Sequence, residues 1–435
     1  MKASPQATLK GEDLWRSGGT SVVFLNSGAG DGILVRFRDN HWIVIDANQV
    51  GGHVPAIEFL KHFAGDEDQT FDLVHLSHLH RDHYSGLASL LAYLRQRGKP
   101  PAHVRLPFSL DLLSHIAESS ASYSDHDHGP LPTLVTELNT LQKAGAEILP
   151  IQQGPFQDHC LFLLPSLRQT AAPSLIAQAY QVVLDGATDY VTSISKDLRR
   201  WEQQSSSVTI IRCHDKLVLL GGDAPTSSWA SLYPIPVNQP FWQGFYGGST
   251  LSVVDMDGDG QYHFKPSCVL KVPHHGADRE RIPAELLLRI LIGRGTFQRY
   301  PISVFLCDGK RHPGLSSLEE HLATSETLLL SSLPDPTVLR RLRQNTQDAL
   351  VEAMSLLPGS DALEKAIGSE SFTAYPFVIG RKPDFTPWKD SESWSFAVLS
   401  FDERGSHVNL RNFIMADCAS RAFRWVDDSS LRVDW

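Results

Sequence analysis

The sequence predicts an α/β protein, a four-layer αββα sandwich in which two sheets pack face to face beneath outer helices. Three observations predict it. Strand-like and helix-like segments alternate through two successive halves of the chain. Several of the strands are short apolar runs that read as buried. Four strand ends carry histidine or aspartate, which places chemistry along one rim of such a sandwich. The chain has 435 residues, 42% hydrophobic and 20% charged, the balance of an ordinary globular protein. That length suits one large domain with appendages or two ordinary domains.

Residues 21–25, 33–37 and 42–45 are β-branched or aromatic runs separated by Gly, Asn and Asp, a meander of strands. A helix is predicted over 55–63 and a buried strand over 71–76. The 3.6-residue apolar spacing over 84–97 predicts a helix packed on a sheet. Helices are expected at 110–118 and 131–144, joined by a Ser/Asp/His/Gly/Pro loop. A strand at 161–164 leads into an insertion, about 174–204, read as mostly helical. The second half opens with paired strands at 207–213 and 217–220 and a helix from about 227. A strand at 268–272, a helix at 283–292, a strand at 302–306 and a helix from 315 follow. Residues 1–334 thus form the domain that carries the chemistry. Residues 335–435 are expected to be a small accessory α+β segment, helical at 346–367 with strands at 374–379, 395–400 and 407–410.

Net charge is −10, from 39 basic and 49 acidic residues, which excludes a nucleic-acid coat working by general attraction. Residues 265–343 run against this trend, with 12 Lys/Arg and 8 Asp/Glu. The five cysteines are scattered and form no CxxC pair, so no disulfide framework is expected. The first 20 residues are polar, and no run approaches the ~18 apolar residues that span a bilayer. The expectation is a cytoplasmic protein with no membrane partner.

The strand 71–76 ends in Ser77-His78-Leu79-His80-Arg81-Asp82-His83. Residues two apart in an extended loop point to one side, so His78 and His80 can grip one metal together. Asp82 and His83 turn into the next helix and can face a second. Imidazole and carboxylate suit Zn2+, and Mn2+ where oxygen ligands dominate. Strand 217–220 runs into Gly221-Gly222-Asp223, whose carboxylate could bridge two metals. Strand 268–272 leads to His274-His275, of which one should ligate the second metal. A further histidine, His312, follows strand 302–306. Asp31 and Asp46 are expected to orient ligating histidines.

His78-x-His80-x-Asp82-His83 matches the signature of the metallo-β-lactamase superfamily. The chain resembles, more narrowly, the metallo-β-lactamase domain of ComEC-type competence proteins. Gly28-Ala29-Gly30-Asp31-Gly32, then Ile43-Val44-Ile45-Asp46, Ser207-Val208-Thr209, Gly222-Asp223, Leu270-Lys271-Val272-Pro273-His274-His275-Gly276 and His312-Pro313 are similar to that group's motifs and fall in its order. The resemblance spans about residues 21–322. It implies an αββα metallo-β-lactamase sandwich, two divalent metals and hydrolysis of phosphodiesters, with DNA the substrate in the competence proteins. It also implies that Asp223 bridges, that His275 is the ligand of its pair, and that His274 and His312 face the substrate. Two features depart from the pattern. Many superfamily members place a third histidine for the first metal after a strand matching 161–164, where this chain has Pro165-Ser166-Leu167. His159 is a further candidate for that ligand, as are His126 and His128. The competence proteins also attach this domain to membrane helices, which this sequence lacks, so DNA uptake is not the expected role.

The expected function is a metal-dependent phosphodiesterase or nuclease. Asp82 or Asp223 would steer the proton of the attacking water, and His274 or His312 would protonate the leaving oxygen. A second expectation keeps the metals and changes the substrate to an ester, lactone or thioester. A third makes the chain a partner-controlled or regulatory subunit acting through its C-terminal region.

Overall fold

The meander forms where β-branched side chains alternate between two faces. In the computed structural model, β1 (Thr20–Leu25), β2 (Gly32–Arg36) and β3 (His41–Ala47) are consecutive antiparallel strands. Val22 and Phe24 point into one core while Val23 and Leu25 point into another. The structure describes residues 15, 19–28, 30–37, 40–64, 69–122, 129–157, 160–164, 205–213, 216–225, 254–256, 262–264, 269–277, 300–308, 311–331, 373–376, 395–401, 407–417, 422–424 and 431–434.

From β3 the chain winds as parallel strands with helical crossovers. Helix α1 (Pro55–Phe63) leads to β4 (Thr70–His75). Helices α2 (Arg81–Tyr84) and α3 (Leu87–Gln96) lead to β5 (His103–Leu106), and α4 (Leu110–Ser122) and α5 (Leu131–Lys143) to β6 (Glu147–Pro150). The helix expected over 84–97 runs from Leu87 to Gln96, with the short α2 before it. Gly86 N donates to Ala47 O at 2.8 Å. A Cβ at Gly86 would meet Asn48 O at 2.9 Å, so β3 and this turn lie too close for a side chain.

The second sheet opens antiparallel with β7 (Gly154–Phe156), β8 (Cys160–Leu163), β9 (Val208–Cys213) and β10 (Lys216–Leu220). A small ribbon of β11 (Val254–Met256) and β12 (Tyr262–Phe264) stands apart. Then β13 (Val269–Lys271), β14 (Tyr300–Phe305), helix α6 (Leu315–Thr324) and β15 (Ser325–Leu330) continue the sheet in parallel. The C-terminal strands are β16 (Thr373–Pro376), β17 (Ser395–Phe401), β18 (His407–Asp417), β19 (Ala422–Arg424) and β20 (Leu431–Asp434). Among the described residues the first sheet has ten strands in the order β19-β18-β17-β1-β2-β3-β4-β5-β6, with β20 beside β18, and the second has eight, β16-β15-β14-β13-β10-β9-β8-β7.

Two cores follow. One lies between the first sheet and helices α1, α3, α4 and α5, and holds Trp42, Val44, Phe59, Phe63, Leu91 and Leu138. The other lies between the sheets, where Phe24, Ile43 and Ile45 meet Ile211, Val218 and Val304. The architecture is two mixed sheets face to face with helices outside, as expected.

The described strands of the C-terminal region join the two sheets. β16 pairs with β15, and β17 pairs with β1 in register from Thr20↔Phe401 to Leu25↔Phe396. Phe396 and Val398 enter the helix-side core, Leu399 and Phe401 the inter-sheet core. The physical reason is that β1 and β15 would otherwise present unpaired sheet edges. The segments read as helical at 174–204, from 227, at 283–292 and at 346–367 lie outside the described residues. No helix among the described residues is long and apolar enough to cross a membrane.

His321 on α6 is buried beside Ser303 and the edge of Phe305. Burial pushes its pKa down to about 3. The folded state therefore keeps it neutral, while the unfolded chain takes up a proton below its ordinary value near 6.5. The associated stability is complete above that value and is lost as pH falls toward 3, by about 1.4 kcal/mol per pH unit. His321→Gln is expected to flatten the dependence of urea-unfolding free energy on pH between 6 and 4 by about one proton. An unchanged slope would count against this account.

Candidate metal centre

The centre is assembled where β4, β10, β13 and β14 end on one rim. After β4 the loop carries Leu76 and Leu79 inward, both 0% exposed, which fixes the intervening backbone. His78 and His80 then lie side by side, ring centroids 4.5 Å apart, and the short α2 brings Asp82 and His83 round. After β10, Gly222 turns at φ 51°, and a Cβ there would meet Ser206 Oγ at 2.5 Å. Only glycine fits, and the turn delivers Asp223, whose N–H donates to Ser206 Oγ at 3.0 Å.

After β13 the chain makes a tight turn through Pro273–Gly276 in which both His274 (φ 47°) and His275 (φ 54°) are left-handed. Such a conformation costs of order 1 kcal/mol or more per non-glycine residue and persists where the surroundings enforce it. His274 N donates to Gly222 O at 3.0 Å, which ties this turn to the one bearing Asp223.

Asp223 stands at the middle. Its Oδ2 lies 3.6 Å from His78 Nε2 and 3.9 Å from His274 Nε2. Its Oδ1 lies 3.4 Å from His83 Nε2 and 3.6 Å from His275 Nε2. Asp82 Oδ2 is 3.5 Å from His275 Nε2, and Asp82 Oδ1 is 4.0 Å from His83 Nε2. These separations are long for hydrogen bonds. They suit two donors that share one ion, which sit about 3.3 Å apart around a tetrahedral zinc. The ligand atoms fall into two groups, His78–His80–Asp223 and Asp82–His83–His275, each within 4.8 Å. His78 Nε2, His83 Nε2, His275 Nε2 and Asp223 Oδ1 are buried with no hydrogen-bond partner among the described residues. Buried polar atoms are rarely left so, and four converging on one place fit a cation site.

Neighbouring groups orient the rings. Asp46 Oδ2 accepts from His83 Nδ1 at 2.8 Å, and Leu306 O accepts from His275 Nδ1 at 2.8 Å. Each bond leaves Nε2 as the lone-pair end. Asp46, itself at φ 55°, also accepts from Ser77 N and Ser77 Oγ, both at 2.7 Å. With its proton committed to Asp46, the Ser77 hydroxyl accepts from His78 Nδ1 at 3.1 Å, so the same logic reaches His78. Asp31 lies 3.5 Å from His275 Nδ1 and forms an ion pair with Lys271. Its N–H donates to Asp82 O at 3.2 Å.

Charge is arranged unusually. Burial opposes ionisation of His83, yet Asp223, Asp46 and Asp82 hold its pKa well above the ordinary value. Burial likewise opposes ionisation of Asp223, yet His275, His83 and His274 hold it well below the usual carboxylate range. Asp82 is lowered as well, by His83 and His275 against burial. For His78, burial is foremost in lowering the pKa, followed by the charges of His83 and His80.

The structure thus brings His78, His80, Asp82, His83, Asp223 and His275 into one cluster. His274 lies at its edge, and the His312 ring is 5.8 Å from His274 and 6.0 Å from His275. His159, His126 and His128 lie outside the described residues. Sequence reasoning missed Lys271 and Ser77 as members. The signal for Lys271 was present, a lysine inside the apolar run 269–272.

No family model matches the sequence, and no curated protein matches it. Among solved structures, the chain is similar to the metallo-beta-lactamase fold protein YhfI from Bacillus subtilis, at 11% identity and TM-score 0.31, over 82% of this chain and 96% of that one. It is similar to a diphosphatase from the PhnP family at 10% identity and TM-score 0.29, over 72% and 85% of the two chains. It is also similar to Zn2+-bound PqqB from Methylobacterium extorquens at 11% identity and TM-score 0.26, over 57% and 88%. Likeness at this level carries none of the functional reading. On its own topology, two mixed sheets face to face with helices outside, the chain has the architecture of a metallo-β-lactamase sandwich.

Proposed function

We propose that this chain is a metal-dependent hydrolase that holds two divalent ions, zinc before manganese, and cleaves a phosphodiester. The observation that carries the reading is Asp223, whose two oxygens face two separate groups of ring nitrogens. His78, His80 and Asp223 Oδ2 would hold one ion; Asp82, His83, His275 and Asp223 Oδ1 the other. Two such ions, when bound, supply Lewis acidity that makes water a nucleophile near neutral pH and offsets charge on a phosphoryl group.

The chain's own residues divide the remaining work. Asp82 borders both His83 and His275 and can take or steer a proton at its carboxylate. His312 is pushed down to about 4, first by burial and then by His275 and His274, so near neutral pH its ring is uncharged. It can hold a substrate oxygen by hydrogen bonding, which leaves protonation of the leaving oxygen to His274. The exposed guanidinium of Arg81, between His80 and Asp82 in the chain, adds positive charge suited to a phosphate, whereas that of Arg311 beside His312 is paired with Asp308.

Purified protein is expected to contain close to two divalent ions per chain by elemental analysis, or to take up two after chelation and reconstitution. It should then cleave at least one of a panel of DNA, RNA and cyclic dinucleotides. Protein that neither contains nor takes up a transition metal would overturn the reading. Two bound ions with hydrolysis confined to thioesters or lactones would keep the metals and replace the substrate.

A further inference from the structure

Lys271, at the end of β13, is the only buried lysine or arginine among the described residues, its side chain 0% exposed. An ammonium taken out of water costs several kcal/mol unless paired and hydrogen-bonded. Here both conditions are met, and the partners come from two different walls of the centre. Nζ donates to Gly222 O at 3.1 Å, the carbonyl next to Asp223 that also accepts from His274 N. On its other side Nζ is ion-paired with Asp31, whose N–H holds Asp82 O and whose Oδ1 lies 3.5 Å from His275 Nδ1. Gly30 packs so tightly against Asp82 O that a Cβ would come within 2.1 Å of it, so the Asp31 loop lies directly against the Asp82 backbone.

A second observation bears on the same ammonium. Asp31, Asp46 and His83 form a third group with ligand atoms within 4.8 Å, close behind the other two. Lys271 supplies the positive charge that Asp31 requires there, and His83 Nδ1 is engaged by Asp46.

We propose that Lys271 is a positioning residue that fixes the spacing of the two ion sites. It ties the turn bearing Asp223 to the loop bearing Asp82, and its fixed charge keeps Asp31 from being drawn in as a ligand. The inference rests on the two-ion reading above.

The test uses the full-length chain and Co2+ or Zn2+ as probes. Lys271→Met leaves Asp31 buried without its ammonium partner and is expected to lower stability, so the informative variant is Lys271→Met with Asp31→Asn, which removes both charges together. Near-UV circular dichroism establishes that it folds. The double variant is expected to bind the ions roughly 10–100-fold more weakly in competition with a chromophoric chelator, the range for residues that act behind metal ligands. Its Co2+ visible absorption should also differ from wild type, which a merely structural ion pair would not produce. A folded double variant with wild-type affinity and spectrum overturns the role of Lys271 alone. Wild-type protein that takes up no ion overturns the two-ion reading and this inference with it.

Discussion

Asp223→Ala is expected to lose both ions and to lower hydrolytic turnover by roughly 10³-fold or more, the equivalent of about 4 kcal/mol of transition-state stabilisation. The geometry makes this the most damaging single carboxylate. Oδ2 faces His78 Nε2 and Oδ1 faces His83 and His275 Nε2, so one side chain serves both groups of donors. Its loss leaves each group one anionic ligand short and places four imidazoles in a buried space with less negative charge. Asp82 differs. Its oxygens approach only His83 and His275, so Asp82→Ala is expected to abolish turnover while one ion remains per chain. Neither residue belongs to a hydrophobic core, and both variants should keep a wild-type near-UV spectrum. Metal content, turnover and circular dichroism on the same preparations decide the matter. Asp223→Ala with two ions and wild-type turnover would show that the cluster is not the reactive centre.

Much of this was legible in the sequence because the relevant signals are local. The buried runs at β1, β3, β4, β9, β10 and β13 are short and apolar, and α1 begins at the proline that marks it, Pro55. The HxHxDH loop needs only its own extended backbone to place two histidines on one side. Pairing across long stretches was not legible. Nothing in the 395–401 segment says that it will lie against β1, because Ala397, Leu399 and Phe401 show only which face is buried and not against what. β5 and β6 were missed because four residues such as His103-Val104-Arg105-Leu106 mix charge with apolar side chains, too short a run for a period to register. β15 was missed because it follows α6 directly at Thr324–Ser325, with no glycine or proline to punctuate the change. Lys271 was read as part of a motif, although a lysine in a buried strand demands a partner, and Asp31 is 240 residues away in the chain.

His275→Ala is expected to lose an ion together with turnover, whereas His274→Ala should keep both ions and lose turnover by roughly 10²–10⁴-fold, the range for a general acid. Along an extended strand end, consecutive side chains would diverge. The backbone does not supply that reason, because both residues are left-handed in a tight turn. The separation comes instead from what holds each ring. His275 is 2% exposed, its Nδ1 is fixed by Leu306 O at 2.8 Å, and its Nε2 is 3.5 Å from Asp82 and 3.6 Å from Asp223. Its position is inside the second group of donors. The His274 side chain is 19% exposed, stands 3.9 Å from Asp223 Oδ2 and shares the outer side of the cluster with the His312 ring. A side chain that is open to solvent and next to the bridging carboxylate can meet a substrate's leaving oxygen; one sealed between Asp82 and Asp223 cannot. Metal content and rate measured together on the two variants separate the roles. If His274→Ala loses an ion while His275→Ala keeps two, the assignments reverse, and the oxygen of Asp223 shared by His274 and His78 would then mark His274 as a ligand of the first ion.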